Sequence, residues 1–414
     1  MATLITNIKL LVNATEQYSL LRGNDLASLP CIENAYILIE DGSIAGYGKM
    51  VELDQNIPAK PQHTIDAAGQ FVLPAWCDSH THLVFAKSRE EEFVYKIKGM
   101  SYAEIAAKGG GILNSARVLN ETGEDELFRL AWKRLEEVSR LGTGAIEIKS
   151  GYGLTVEGEL KMLRVIKKMK EHSKLSIKAT FLGAHTYPLD YKENHQGYID
   201  LIIDAMLPAI AREKLADYID VFCENGFFSA EEMETICNAG IRYGLKPKLH
   251  INQLNSIGGI ESAIKLKAVS ADHLETMTEK DISLLGKSSV IGTLLPGAAF
   301  FLRMAYQPAR QLIDNNCAIS LATDYNPGSS PSGNMNLILA LACIQMKMLP
   351  EEAINAATIN GAYAMELQNE VGSITIGKSA NLIFTKPIPS LAYLPYAFGS
   401  NLIDKVMIRG EIIN

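Results

Sequence analysis

The sequence predicts an α/β chain: a (β/α)8 barrel carrying a small β-sandwich built from its N- and C-terminal segments. Three observations lead there. The middle of the chain alternates short apolar runs with amphipathic helical stretches, the pattern of βα units around a parallel sheet. Both ends read instead as strands and tight turns. Histidines gather at the C-terminal ends of the apolar runs, the rim where such barrels place their chemistry.

Taken in order, Ala35 to Glu40 is mostly apolar, Asp41-Gly42 is a turn signal, and Ser43 to Gly48 returns, which makes a hairpin. Barrel strands are expected at 71–79, 143–149, 176–184, 217–223, 245–250, 268–273, 289–294 and 317–323. Between them, 124–141 aligns Leu127, Ala131, Leu135 and Val138 on one helical face and stops at Gly142. Leu160, Leu163, Ile166 and Met169 form a second stripe. Ser229-Ala-Glu-Glu232 and Thr278-Glu-Lys-Asp281 are capping-box-like helix starts. Near the C-terminus Val371–Gly377, Asn381–Phe384 and Lys405–Arg409 are strand-like again. The expected division is 1–70 with 366–414 as the composite sandwich and 71–365 as the barrel. Residues 84–123 fit no simple βα unit. An insertion directly after the first strand sits on the catalytic face and reads as a substrate lid, with an oligomer-forming arm as the alternative.

The chain of 414 residues is 47% hydrophobic with a net charge of −8 and no basic stripe, which disfavours nucleic acid as a partner. Six cysteines without a Cys-x-x-Cys suit reduced thiols in a cytosol. The N-terminal residues lack the features of a secretory signal, and no apolar run approaches the roughly 20 residues that span a bilayer. The expectation is a soluble cytoplasmic protein acting on a small molecule, with no membrane partner.

The first barrel strand runs into Asp78-Ser-His80-Thr-His82. Residues two apart on a strand point the same way, so the two imidazoles project together as metal ligands or as rim groups bonded to backbone. The rest of the chain decides between these. Of eight histidines, His185, His250 and His273 also end predicted strands, and Asp324 ends the last one. His63, His172 and His195 fall in loops or helices. Three histidines and a carboxylate suit one borderline divalent ion, zinc or iron, with a position left for water. We assign His80, His82, His250 and Asp324 as its ligands. Such an ion makes hydroxide available at neutral pH, so hydrolysis is the natural chemistry. Asp324 can take a proton from that water, and His273 polarises a carbonyl or helps move the proton. A second ion would need a bridging group such as a carboxylated lysine at the end of the fourth strand. That strand ends Phe222-Cys-Glu224, and Lys149 ends the second strand instead.

His-x-His, two later strand-end histidines and a strand-eight Asp resemble the amidohydrolase superfamily. Within it, Leu83-Val-Phe85 with Ser88-Arg-Glu90, Ser101–Ile105, Gly109–Ile112, Glu147–Gly153, Thr180–His185, Ser270–His273, Thr293–Gly297 and Ala322–Gly328 are similar to the imidazolonepropionase family. The resemblance covers essentially the whole chain. It implies hydrolysis of the ring C–N bond of 4-imidazolone-5-propanoate to N-formimidoyl-L-glutamate by metal-bound hydroxide, in histidine degradation, by a homodimer. It also implies that Arg89 and Tyr152 bind the substrate's carboxylate tail, and guanidinium suits that shape. His185 and Gln253 would contact the ring, Asn326, Gly328 and Ser329 the glutamate portion, and Tyr102 the substrate from the lid. Ring deaminases of the superfamily carry glutamate where this chain has Gln253. An amide donates a hydrogen bond but no proton, which disfavours a deaminase and leaves Gln253 a hydrogen-bonding role in catalysis. The family's pattern is altered at Ala86-Lys87 and at Ile251-Asn252.

Overall fold

The computed structural model describes residues 2–100, 104 and 110–413. Strands are numbered in chain order. Ala2–Val12 (β1), Cys31–Glu40 (β2), Ser43–Lys49 (β3), His63–Asp66 (β4) and Phe71–Pro74 (β5) come from the N-terminal segment. Trp76–Thr81 (β6), Thr143–Lys149 (β7), Ser176–Ala184 (β8), Tyr218–Cys223 (β9), Lys246–Ile251 (β10), Ser270–His273 (β11), Ile291–Leu294 (β12) and Ile319–Leu321 (β13) follow. Leu382–Thr385 (β14), Ile403–Ile408 (β15) and Glu411–Ile413 (β16) complete the chain.

β6 to β13 pair with their sequence neighbours in parallel, in the order of the chain. The first and last meet beyond the last regular strand. The Asp324 N–H donates to the His80 carbonyl at 3.0 Å, and the His82 N–H donates to the Tyr325 carbonyl at 2.9 Å. Below them the Asp78 carboxylate accepts from the Thr323 N–H at 2.9 Å and its hydroxyl at 2.6 Å. The sheet is thus a closed (β/α)8 barrel, and its seam runs through the residues expected to bind metal.

The second sheet has the order β16-β15-β14-β5-β1-β2-β3, with β4 on β1. Its two terminal contributions join where β14 runs antiparallel to β5, Ile383 opposite Leu73. The sequence reads 71–79 as one strand, but the chain divides it. Phe71–Pro74 belongs to the terminal sheet and Trp76–Thr81 to the barrel. Both pieces are buried throughout, so hydropathy runs across the break unchanged. Pro74 cannot donate to a ladder, and Ala75 turns the chain, its N–H going to the Asn381 carbonyl at 2.9 Å. Asn381 also caps the Arg409 N–H at 2.8 Å, and a Cβ on Gly144 would sit 2.6 Å from that of Ala75. Gly144 therefore has to be glycine for sheet and barrel to meet this closely.

Both expected apolar stripes are buried in the barrel's helical layer. Ser229 and Glu232 form a reciprocal cap on the helix Ala230–Arg242, and Thr278 and Asp281 do so on Glu279–Gly286. All six cysteines are unpaired thiols. Among the described residues no helix is long and apolar enough to cross a membrane.

Candidate active site

The four expected ligands converge at the barrel seam. His82 Nε2 lies 3.3 Å from His250 Nε2, and Asp324 Oδ1 lies 3.5 Å from His80 Nε2 and 3.6 Å from His82 Nε2. Burial holds all three imidazoles well below the ordinary histidine range, so they are neutral. His80 places Nδ1 2.7 Å from Asp272 Oδ2, and His250 places Nδ1 2.7 Å from Asp220 Oδ2. A neutral ring that donates from Nδ1 keeps a lone pair on Nε2. His80 Nε2 is buried and has no hydrogen-bond partner, and two further imidazole nitrogens face one another. Such a cluster of lone pairs suits a cation: the donor atoms of His80, His82 and His250 lie within 4.8 Å of one another, as do those of His80, His273 and Asp324, so the site fits a divalent metal ion. Burial pushes the Asp324 carboxyl up to about 7, against the pull of the neighbouring His273.

His273 differs from the other three. Burial opposes its charging, yet Glu275, 3.3 Å from its Nδ1, raises it above the ordinary value with help from Asp324 and Asp272. A ring biased toward the imidazolium makes a poor ligand and a good donor. It also sits at φ 88°, an uncommon backbone state for a residue with a side chain.

On the substrate side, His82, Tyr152, His185, Phe222, His250, Gln253, His273, Asp324, Asn326 and Ser329 line one cavity. His185 stacks on His82 with centroids 5.4 Å apart and places Nδ1 3.0 Å from the Gly151 carbonyl. Burial takes the His185 ring down to about 4. Arg89 lies with its guanidinium 5.7 Å from the Tyr152 ring centroid. Its Nε donates to the Ser115 hydroxyl at 2.8 Å, while its Nη2 is buried without a partner. Of the glutamates that follow it on the helix Glu90–Ile97, Glu90 accepts from the Ser88 hydroxyl and Glu92 from the Gly111 N–H at 2.8 Å. Asn326 turns its amide inward: Oδ1 accepts from the N–H groups of Gly328 and Ser329, and Nδ2 reaches the Asp324 carbonyl and the Ser329 hydroxyl. Asn326 therefore shapes the loop, and the Ser329 hydroxyl lies 3.3 Å from Asp324 Oδ2 as well. Tyr102 lies outside the described residues. His63, His172 and His195 are exposed and remote from the cluster. At the altered positions, Asn252 takes a left-handed φ of 58°, which asparagine tolerates, and its Nδ2 approaches Asp281 at 3.4 Å.

Sequence reading missed the groups behind the site: Asp220, Asp272, Glu275, Ser115 and Glu159. A signal was present for Asp220, a carboxylate in the middle of the apolar run Tyr-Ile-Asp-Val-Phe-Cys, since a charge buried in a strand needs a partner. Glu159 sits on a helical face and gives no such signal.

Comparison with known proteins agrees with this geometry. The amidohydrolase family profile matches residues 226–413. The imidazolonepropionase of Flavobacterium johnsoniae is 60% identical over 100% of both chains. That of Thermoanaerobacter pseudethanolicus is 43% identical over 93% of this chain and 91% of its own. Among solved structures, E. coli guanine deaminase superposes with a TM-score of 0.74 over 100% of this chain and 99% of its own, at 14% identity. An adenosine deaminase from Xanthomonas campestris with bound zinc superposes at 0.69 over 99% and 92%, at 16% identity. At such identities these two speak for the fold alone. On the full-length relatives, this chain belongs to the imidazolonepropionase family of the amidohydrolases.

Proposed function

We propose that the enzyme opens the ring C–N bond of 4-imidazolone-5-propanoate by hydrolysis, giving N-formimidoyl-L-glutamate in histidine degradation. The observation that carries this reading is Arg89. A half-buried arginine, its Nη2 enclosed without a partner, stands beside Tyr152, and Tyr152 in turn lines the cavity with His82, His250 and Asp324. That arrangement suits a small ring with a carboxylate tail. The relatives' names point to the same substrate.

His80, His82, His250 and Asp324 would hold one ion, zinc or iron, since both accept this donor set. When bound, that ion lowers the pKa of a coordinated water and so supplies hydroxide at neutral pH. Asp324 would take a proton from the water and return it to the ring nitrogen that departs as the C–N bond breaks, and His273, held by Glu275, would donate a hydrogen bond toward the ring carbonyl as charge develops on its oxygen. His185 and Gln253 hydrogen-bond the ring. Gly328 and Ser329 receive the glutamate portion from the loop that Asn326 shapes, Arg89 and Tyr152 take the tail, and Tyr102 adds a contact from the lid segment 84–123. The segments 1–70 and 366–414 make one domain, whose sheet Phe71–Pro74 joins, and the rest of 71–365 is the barrel. We place the enzyme in a cytoplasm, where its unpaired thiols stay reduced. We also propose a homodimer, supported by exposed apolar groups at Phe93 (44%), Ile97 (58%) and Phe300 (56%) on the side of the lid helix.

The test is loss of imidazolonepropanoate absorbance with metal-replete protein. Turnover is expected. His80→Ala should abolish it together with bound metal. Arg89→Ala should raise KM by about 10- to 100-fold, the loss of a charged hydrogen bond of ~1.5–3 kcal/mol, with metal content intact. Absence of turnover by the loaded wild type would end this reading.

A further inference from the structure

Beneath the rim lies a fully buried charge cluster that the reaction itself does not use: Glu147, Lys149, Asp220, Lys248 and Asp272. Its members come from four strands, the neighbours β9, β10 and β11 and, on the far side of β8, β7. Lys149 occupies its centre, with Nζ 2.7 Å from Glu147 Oε1, 2.9 Å from Asp220 Oδ2 and 3.5 Å from Asp272 Oδ2. The two aspartate oxygens it meets are the same two that receive the ligand histidines. Asp220 Oδ2 is 2.7 Å from His250 Nδ1, and Asp272 Oδ2 is 2.7 Å from His80 Nδ1. We propose that Lys149 is a positioning residue for the metal centre, a single ammonium that sets the two carboxylates on which His80 and His250 are oriented. This rests on the reading of His80 and His250 as ligands.

The physical case has three parts. A carboxylate behind a ligand histidine fixes its tautomer and ring direction, and losing one such partner typically weakens metal binding by about 10- to 100-fold. Lys149 Nζ lies within ion-pair distance of both aspartates, so one ammonium bridges the two carboxylates and holds them in place. Finally, the remaining oxygens are already committed. Asp220 Oδ1 accepts from the His250 N–H at 2.9 Å, and Asp272 Oδ1 accepts from the Ser270 hydroxyl at 2.5 Å. Taking Lys149 away therefore frees the one oxygen of each aspartate that faces a ligand. Lys248 supplies the contrast. It is equally buried, but its Nζ goes to Ser270 Oγ at 2.7 Å, the Ala364 carbonyl at 3.0 Å and Glu147 Oε2 at 3.1 Å, touching neither aspartate.

The experiment titrates metal-free protein with Co²⁺ against a competing chelator and records the visible spectrum of the cobalt form. Folding is followed by circular dichroism. Lys149→Met is expected to weaken Co²⁺ binding by about 100-fold, because two ligands loosen at once, and to alter the spectrum. Since that variant leaves carboxylates unbalanced, Lys149→Met/Glu147→Gln is tested beside it. The double variant removes one charge of each sign and spares both aspartates, and it should fold yet still bind Co²⁺ weakly. Glu147→Gln and Lys248→Met should bind within a few-fold of wild type. Wild-type affinity and spectrum in the double variant would overturn the proposal, as would an equal loss in Lys248→Met. His80→Ala separates the two readings: if it binds Co²⁺ like wild type, the ligand assignment fails; if it loses the metal while the Lys149 variants keep it, only the positioning role fails.

Discussion

Burial disfavours charge on His80, His82, His185 and His250, and only at His273 does a facing carboxylate overcome it. His80 and His250 face aspartates already engaged by Lys149 and stay neutral, whereas His273 faces Glu275 and is drawn toward the charged form. The residues expected to ligate a metal stood out in the sequence because each falls at the end of an apolar run, where strand geometry dictates its direction. Their partners did not, since Asp272 and Lys149 look like ordinary strand-end polar groups until the register β10–β11 sets His250 opposite Asp272. A prediction belongs at this scale for the tail-binding loop. A Cβ on Gly328 would lie 2.6 Å from Arg89 Nη1. The long arginine side chain can swing away at little cost to the fold, but the swing takes the guanidinium off the tail. Gly328→Ala should raise KM about tenfold, ~1.4 kcal/mol, while leaving kcat, thermal stability and metal content near wild type. An unchanged KM would remove Arg89 from the tail.

The loop that follows β7 carries Tyr152 and is built around one buried carboxylate. Glu159, from the helix Val156–His172, accepts from the N–H groups of Gly151 at 3.0 Å, Gly153 at 2.7 Å and Leu154 at 2.9 Å. Gly151 sits at φ 109°, where its missing Cβ also avoids His185 Nδ1. Burial raises the Glu159 carboxyl, while these donors and the Ser150 hydroxyl oppose that shift. In Glu159→Gln one amide nitrogen would face N–H groups in place of an oxygen. We expect a loss of ~2 kcal/mol in unfolding free energy and about a tenfold fall in kcat/KM, with bound metal retained. A stability loss with wild-type kinetics would mean that this loop does not position Tyr152 for substrate. Helices and their caps were readable in advance because capping and amphipathic stripes are local. The break at Ala75 was not, because a proline and a buried run are compatible with one strand or two.

At the scale of the molecule, the expected ligands come from β6, from β10 and from Asp324 beyond β13, and so tie distant parts of the chain at the seam where the barrel closes. An ion that binds only this arrangement stabilises the fold by mass action, ~2.7 kcal/mol at a free concentration one hundred times its dissociation constant. The melting temperature should therefore fall when a chelator strips the metal and climb again with added Co²⁺. His80→Ala should show neither response. A wild-type melting curve indifferent to chelator would place no ion at the seam.

By itself the sequence determined the alternation of strands and helices, the β-rich ends, the barrel rim and the residues expected to ligate a metal. Strands, helices and rim positions rest on local periodicity, and the expected ligands on which strand ends along the chain carry histidine or aspartate. Only the tertiary structure decided where the first strand divides, which carboxylate stands behind each histidine, and that Lys149 lies between two of them. Those facts depend on strand register and on packing between segments as far apart in the chain as Ala75 and Asn381. Nothing in the local pattern of either segment encodes that distance.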